Sequence, residues 1–247
     1  MSADVVQLPA SKKRINKAGD ALRRASAGEV IPDDAFREHL EIVRAFRACH
    51  SYPLTNVAMG LRHHAQKAAA GSWYDAGQRL KQMATIRDKL CRLPGTNLAR
   101  MQDIGGCRAI FLDQETVDAA IASIEQRAKR GTWDIVDIDD YVAAVQRKDG
   151  YRAKHVIVRK RGVLIEIQFR TTVQHNWAQL VEELDKATGL GMKQGRAPDW
   201  AVEAVAAAAA DMRQYELGVV DRPTLVDALN SSLRPILDLS NTGGKIV

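Results

Sequence analysis

The chain has 247 residues, of which 46% are hydrophobic and 27% charged. That is enough to bury a substantial core in one large domain or two small ones. A net charge of +6 and a pI near 9.3 tilt it toward polyanionic partners such as nucleotides, RNA or DNA. No run of about 18 apolar residues is present to span a membrane. No apolar stretch follows Lys12-Lys13-Arg14 to complete a signal peptide. Cys49, Cys91 and Cys107 lie far apart, with no Cys-x-x-Cys, which argues against a zinc ribbon or a disulfide framework. The expected setting is the cytoplasm, with no membrane partner.

Residues 1–30 are small, polar and basic, and read as a flexible basic arm or a weak helix. Ile31-Pro32-Asp33-Asp34 is a helix start, and Phe36, Leu40, Val43 and Phe46 continue it with helical spacing to residue 50. Pro53 is expected to end that helix. A second helix follows over 54–70 and a third over Tyr74 to Leu90. Arg92 to Asn97 is a loop around a Pro-Gly turn. Cys107–Asp113 reads as a strand, Gln114–Arg130 as a helix and Trp133–Ile138 as a strand. Asp139–Lys148 reads as a turn or short helix. Gly150–Lys160 and Val163–Arg170 read as two strands joined by a tight hairpin at Arg161-Gly162. Val163–Arg170 alternates strictly: Val163, Ile165, Ile167 and Phe169 share one face, Leu164, Glu166, Gln168 and Arg170 the other. Helices are expected over Thr171–Thr188, Asp199–Gly218 and Arg222–Leu239, with a Gly-rich basic loop over 189–198 whose Lys193 and Arg196 would suit an RNA partner such as tRNA. The expected fold is α+β, a mixed, mostly antiparallel sheet flanked by helices. Three parts are expected: the arm (1–30), a central domain with N-terminal helices (31–190) and a C-terminal helical extension (191–247).

Several residues carry chemistry. Asp103 stands five residues before Arg108, across Gly105-Gly106, and Glu166 sits on the polar face of the alternating strand. Two carboxylates brought together by two strands can hold Mg²⁺, which prefers a few carboxylates, waters and phosphate oxygens. Arg79, Lys81, Arg87 and Lys89 form a cationic segment. Such a segment is often only a solvated face, but arginine also stacks on flat bases and forks onto phosphate. Tyr151, after Gly150, is either sheet packing or a base-stacking platform, with Arg152 and His155 close by.

The set Arg79/Lys81, Asp103-Ile-Gly-Gly-Cys-Arg108, Asp140-Tyr141, Gly150-Tyr151-Arg152-x-x-His155, Glu166-Ile-Gln168-x-Arg170-Thr171 and Trp177-Ala178 resembles the synthetase domain of the RelA/SpoT alarmone enzymes. It is most similar to the short, single-domain members, and the likeness runs over about residues 75–186. The resemblance implies a nucleotidyltransferase-like sheet and a pyrophosphokinase that moves the β,γ-diphosphate of ATP to the 3′-hydroxyl of GDP or GTP. It implies that Arg79 and Arg108 sandwich adenine, and that Lys81, Arg87 and Lys89 hold the triphosphate. Asp103 and Glu166 would be the catalytic pair and the Mg²⁺ ligands, with Glu166 also activating the hydroxyl. Tyr151 would stack on the acceptor guanine. His155 would face acceptor phosphate, while Gln168 and Arg170 orient that site; Lys154, beside His155, is read as a further contact to acceptor phosphate.

Departures from the family pattern fall on the acceptor side. Ala153 and Lys154 replace the usual serine and aliphatic or aromatic residue. Gln146 to Asp149 replaces the usual Pro-Lys segment, and Val181-Glu182 stands where Glu-His is common. The acceptor is therefore open among GDP, GTP, an adenine nucleotide and the tRNA 3′-CCA end. The last would make the chain a toxin that blocks translation, with an antitoxin as partner. A homo-oligomer is also open, as is a non-catalytic RNA-binding or regulatory module, although the presence of both Asp103 and Glu166 argues against the module. No histidine is followed by aspartate, so the His-Asp hydrolase of the long enzymes is not expected.

Overall fold

The computed structural model describes residues 5–143, 148–192 and 195–241. Eight α-helices, a 3₁₀ turn and five strands are present among them. The fold is α+β, and one mixed sheet runs in the order β1-β2-β5-β4-β3. Its strands are β1 (Tyr74–Leu80), β2 (Gly105–Phe111), β3 (Asp134–Asp140), β4 (Lys154–Lys160) and β5 (Val163–Thr171).

The β4–β5 hairpin forms as the sequence predicts. Arg161 (φ 52°) and Gly162 (φ 87°) both take positive φ, which a two-residue turn needs to match strand twist. The Arg161 guanidinium sits 4.6 Å over the Tyr52 ring. β5 alternates buried and half-buried residues along its whole length, so Glu166, Gln168 and Arg170 share its polar face. Thr171 ends the strand and caps helix α6 (Thr172–Thr188). Its hydroxyl accepts from the Gln174 backbone N–H, and its own N–H donates to Gln174 Oε1 at 3.2 Å. This capping box satisfies two otherwise unpaired donors.

The expected elements are corrected at four places. The basic N-terminal segment, where it is described, is not a free arm: α1 (Lys12–Ser26) buries Ile15, Ala18 and Leu22. These join Val43 and Phe46 of α2 (Asp33–Ala48) and Ile86 and Leu90 of α4 (Met83–Arg92) in one core. Pro53 does not end α2. It lies in the first turn of α3 (Ser51–Ala69), where a missing N–H costs nothing. Tyr74–Leu90 is not one helix but β1, a two-residue link and α4; Gly77 and the absence of an apolar stripe over 74–80 weaken the helical option there. The strand expected from Gly150 begins only at Lys154, because Gly150 takes φ +70°, outside the range of extended backbone.

Two compact units divide the chain. One comprises Met1–Ala109, Ala119–Ile138 and His155–Gln168; the other comprises Ile110–Asp118, Asp139–Lys154 and Phe169–Val247. In the second, α6 packs with α7 (Asp199–Glu216) and α8 (Arg222–Asn241). Trp177, Val181 and Leu184 meet Val205, Ala208, Met212, Leu233 and Ile236 there. Ala201, Ala204, Ala208 and Ala209 of α7 lie in the same core, where small side chains allow close helix packing. No helix among the described residues is long and apolar enough to cross a membrane.

Candidate active site

In the first unit, Lys81, Lys89 and Asp103 meet. Lys81 lies in the link between β1 and α4, Lys89 on α4, and Asp103 just before β2. Lys81 Nζ donates to Asp103 Oδ2 at 2.8 Å, and Lys89 Nζ stands 2.9 Å from the same oxygen. All three side chains are largely buried, at 13%, 25% and 18% exposed respectively. The Lys81 N–H donates to the Ile104 carbonyl, and Arg47 Nε donates to the Lys81 carbonyl at 2.6 Å. The link carrying Lys81 is thus held from two sides. Burial alone would push the Asp103 carboxyl up, but the two ammonium groups outweigh it and hold its pKa below the usual aspartate range. The other oxygen, Oδ1, is buried with no hydrogen-bond partner. A buried acceptor left unpaired costs free energy, and a bound cation would satisfy it.

Glu166 stands on β5 in the same unit. Its Oε2 accepts from Gln168 Nε2 at 2.7 Å, and its Oε1 lies 3.3 Å from His155 Nδ1 across the hairpin. Burial pushes the Glu166 carboxyl up. His155 and Gln168 outweigh burial and the like charge of Asp103, and the net direction is down. The neighbours of Asp103 and of Glu166 thus hold both carboxyl groups below their ordinary range. Among the described residues no group of three or more His, Cys, Asp or Glu side chains gathers as a metal cage. Two carboxylates suit Mg²⁺, which usually keeps waters and takes phosphate oxygens for its remaining positions.

Arg79 and Arg108 project from neighbouring strands. A Cβ on Gly77 would lie 3.7 Å from Arg108 Nε, and Gly77 and Arg79 share a face of β1 by alternation. Both arginines are exposed, and Arg108 pairs loosely with Asp75 at 3.7 Å. Arg87 is exposed on α4.

In the second unit, Tyr151 and Arg170 meet. The Arg170 guanidinium lies 5.2 Å from the Tyr151 ring centroid, and Nη2 donates to the Tyr151 hydroxyl at 2.8 Å. The ring also touches Tyr141 (5.9 Å) and Trp177 (6.1 Å). A Cβ on Gly150 would lie 2.4 Å from the Ala209 Cβ. The chain before Tyr151 therefore comes against α7 in a way that only glycine allows. Lys154 does not join this cluster: its Nζ pairs with Asp118 and Asp140, each at 2.9 Å. Gln146 falls among residues 144–147 and Lys193 among 193–194, both outside the described residues.

No motif or spacing points to Glu216. At the end of α7, its carboxylate takes Arg152 Nη1 at 2.5 Å, with both side chains 13% exposed. It also accepts from the Thr171 hydroxyl. One carboxylate thereby ties the residue after Tyr151 to the cap of α6. Its partners are 45 and 64 residues away, a separation no local spacing rule reaches. Glu216→Gln keeps the shape but removes the charge. A hydrogen bond to a charged group is worth about 1.5–3 kcal/mol, and roughly 2–4 °C per kcal/mol applies at this chain length. The expected result is a Tm lower by about 3–12 °C, read by thermal unfolding. An unchanged Tm removes Glu216 as the tie.

Residues 78–185 match the sequence family described as the region found in RelA / SpoT proteins. Among curated proteins, the chain is 32% identical over 117 residues to the GTP pyrophosphokinase YjbM of Bacillus subtilis, covering 43% of this chain and 54% of that one. It is 34% identical over 124 residues to an uncharacterised protein of Mycobacterium tuberculosis, covering 49% and 43%. The chain thus spans about half the length of the curated relatives it matches. Two solved structures share the fold. Small alarmone synthetase 2 of B. subtilis matches with TM-score 0.57 at 20% identity, over 70% of this chain and 93% of that one. Small alarmone synthetase 1 of B. subtilis, bound to its product pppGpp, matches with TM-score 0.54 at 22% identity, over 67% and 88%.

Proposed function

We propose that the chain is an ATP-dependent pyrophosphokinase that transfers the β,γ-diphosphate of ATP to the 3′-hydroxyl of GDP or GTP. One observation carries this reading. Asp103 and Glu166 are two largely buried carboxylates in one unit, and Asp103 keeps an unpaired oxygen beside two lysines. The matched RelA/SpoT region and the pyrophosphokinase among its relatives support the same reading.

The acceptor 3′-oxygen forms a bond to the β-phosphorus of ATP as the bond from that phosphorus to the α,β-bridging oxygen breaks. AMP leaves, and the hydroxyl proton passes to Glu166. Phosphoryl-type transfer asks mainly for positioning and charge neutralisation. Lys81 and Lys89 lie where they can share their protons between Asp103 and a polyphosphate, and Arg87 adds charge from α4. Arg79 and Arg108 lie on one face of adjacent strands, suited to stacking on adenine. Gln168 and His155 hold the Glu166 carboxylate in place. Asp103 and Glu166 would hold Mg²⁺, which neutralises charge on the transferred group when bound. Tyr151, with Arg170 on it, is the acceptor-base platform. Lys154 is committed to Asp118 and Asp140 and takes no acceptor phosphate in this reading.

The decisive experiment incubates the protein with γ-³²P-ATP and, separately, GDP, GTP, ATP and bulk tRNA. Labelled GDP or GTP supports the reading. Label on tRNA alone replaces the acceptor, an outcome that the net charge of +6 and exposed Arg196 keep in view. Label on none removes the kinase. Tyr151→Ala is expected to raise the acceptor KM about ten- to hundredfold, since base–aromatic stacking is worth ~1–3 kcal/mol, with little change in the KM for ATP. A rise confined to ATP would exchange the two assignments.

A further inference from the structure

A second concave site lies within the first unit, lined by α3, the end of α5 (Gln114–Lys129), the start of β3 and the end of β4. Its volume is about 260 Å³. It shares no residue with the carboxylate site. Arg127, Arg159 and Lys160 contribute three cations, and Asp134 is the one carboxylate in the lining. That carboxylate is already engaged by Arg159 Nη1 at 3.3 Å. The cavity therefore carries excess positive charge at neutral pH.

Its aromatic wall is fixed in place. Trp133 lies against the backbone of α3 so closely that a Cβ on Gly60 would come within 2.7 Å of the ring. His64 is buried, packs edge-on to Trp133 at 5.7 Å and is held through Nδ1 by the Ser123 hydroxyl at 2.9 Å. Burial lowers the His64 pKa, and the charges of His63, Arg127 and Lys67 lower it further, as a positive local field would. Asn56 adds an amide to the lining. A solvated basic face would spread its cations over a convex surface. Here three cations line one hollow together with an indole held against α3, the arrangement of apolar surface and few polar groups that small-ligand sites use.

We propose that this cavity binds a small phosphorylated ligand with a flat ring, of about mononucleotide size. The phosphate meets Arg127 and Lys160, and the ring lies on Trp133. Arginine supplies a planar fork for phosphate, and the indole supplies a stacking face for a base. The volume stands near the lower end of the usual range of ~300–1,000 Å³, which excludes a large polymer as the buried part of the ligand. The proposal is independent of the reaction assigned above.

The probes are UMP, which is neither substrate nor product of the proposed transfer, and inorganic phosphate. The reporter is the ¹H–¹⁵N indole resonance of Trp133 in the full-length protein, assigned by its loss in Trp133→Phe. UMP is expected to shift it saturably, at least several-fold more tightly than phosphate does, in wild type and equally in Glu166→Gln. Arg127→Glu/Lys160→Glu is expected to weaken UMP about tenfold or more, or ~1.4 kcal/mol. Arg127→Ala serves as the milder variant should the double reversal lose its dispersed spectrum. No shift up to about 10 mM UMP overturns the proposal. So does equal binding of phosphate and UMP, a response abolished by Glu166→Gln, or a response unchanged by the Arg127 and Lys160 substitutions.

Discussion

Glu166→Gln is expected to lower turnover by about 10²–10⁴-fold, the range that a positioned general base contributes, while leaving the protein folded. Glutamine keeps the volume on β5, and its carbonyl can still accept from Gln168. It cannot take the hydroxyl proton, and it brings no charge to a metal. The substitution also has a signature apart from activity. His155 and Gln168 hold the Glu166 carboxyl below its ordinary value of 4.5 against burial. A carboxylate with a depressed folded pKa stabilises the native state above the unfolded value, and that stability is lost as the pH falls through the folded value. The Tm difference between wild type and Glu166→Gln is therefore expected to be largest at neutral pH and to narrow below about pH 4.5. Single-turnover labelling of the acceptor and a pH series of thermal melts check the two halves. Wild-type turnover by the folded variant removes Glu166 from the chemistry.

What could be read from the sequence was whatever the chain encodes over one short window. β5 was legible because one of its faces is buried, so every second residue is apolar and the rest are free to be Glu166, Gln168 and Arg170. The hairpin was legible because Arg161-Gly162 is a two-residue turn. β1 was not legible: its residues are half-covered or exposed on both faces, so no period of two appears, and the cations around it imitate an exposed helix. α1 was underrated because Ile15, Ala18 and Leu22 are a narrow stripe among lysines and arginines. A stripe at that spacing buries one side of a helix however basic the other is.

The site divides in the same way. Asp103, Glu166, Lys81 and Lys89 were legible as residue types in order, and the structure brings Asp103 together with both lysines and Glu166 with His155 and Gln168. The pairings themselves were not legible. Lys81 and Asp103 lie 22 residues apart, and only the packing of α4 before β2 joins them. Lys154 reads as a phosphate contact beside His155. On alternating strand positions, however, neighbours face opposite ways, and Lys154 meets Asp118 and Asp140 while His155 meets Glu166. His155, too, is first a partner of Glu166.

Asp103→Asn is expected to lose transfer at least about 100-fold, more than the 10–100-fold typical of disturbing a group that only supports a metal ligand, and to lose stability as well. The two effects have separate causes. Transfer falls because the amide offers a metal no charge. Stability falls because Lys81 and Lys89 share the one carboxylate oxygen, Oδ2, and an amide leaves both ammonium groups without a counter-charge. Removing one partner of a buried ion pair costs ~3–5 kcal/mol. Lys89 is a quarter exposed, so water recovers part of that, and a loss of about 2–3 kcal/mol is expected. This corresponds to a fall in Tm of roughly 4–12 °C. Because the two lysines hold the Asp103 pKa down, the Tm gap should also close as the pH drops below the ordinary aspartate range. Adding Lys81→Met/Lys89→Met to Asp103→Asn removes the stranded charges, and it should restore much of the Tm without restoring transfer. Mn²⁺ binding in the presence of a non-hydrolysable ATP analogue, followed by electron paramagnetic resonance, reads the metal role without relying on turnover. If Asp103→Asn binds Mn²⁺ and turns over as wild type does, Asp103 is a structural anchor for two lysines and the metal assignment fails. If Tm is unchanged while transfer is lost, the lysine pairing carries no stability and the unpaired Oδ1 is the feature that matters.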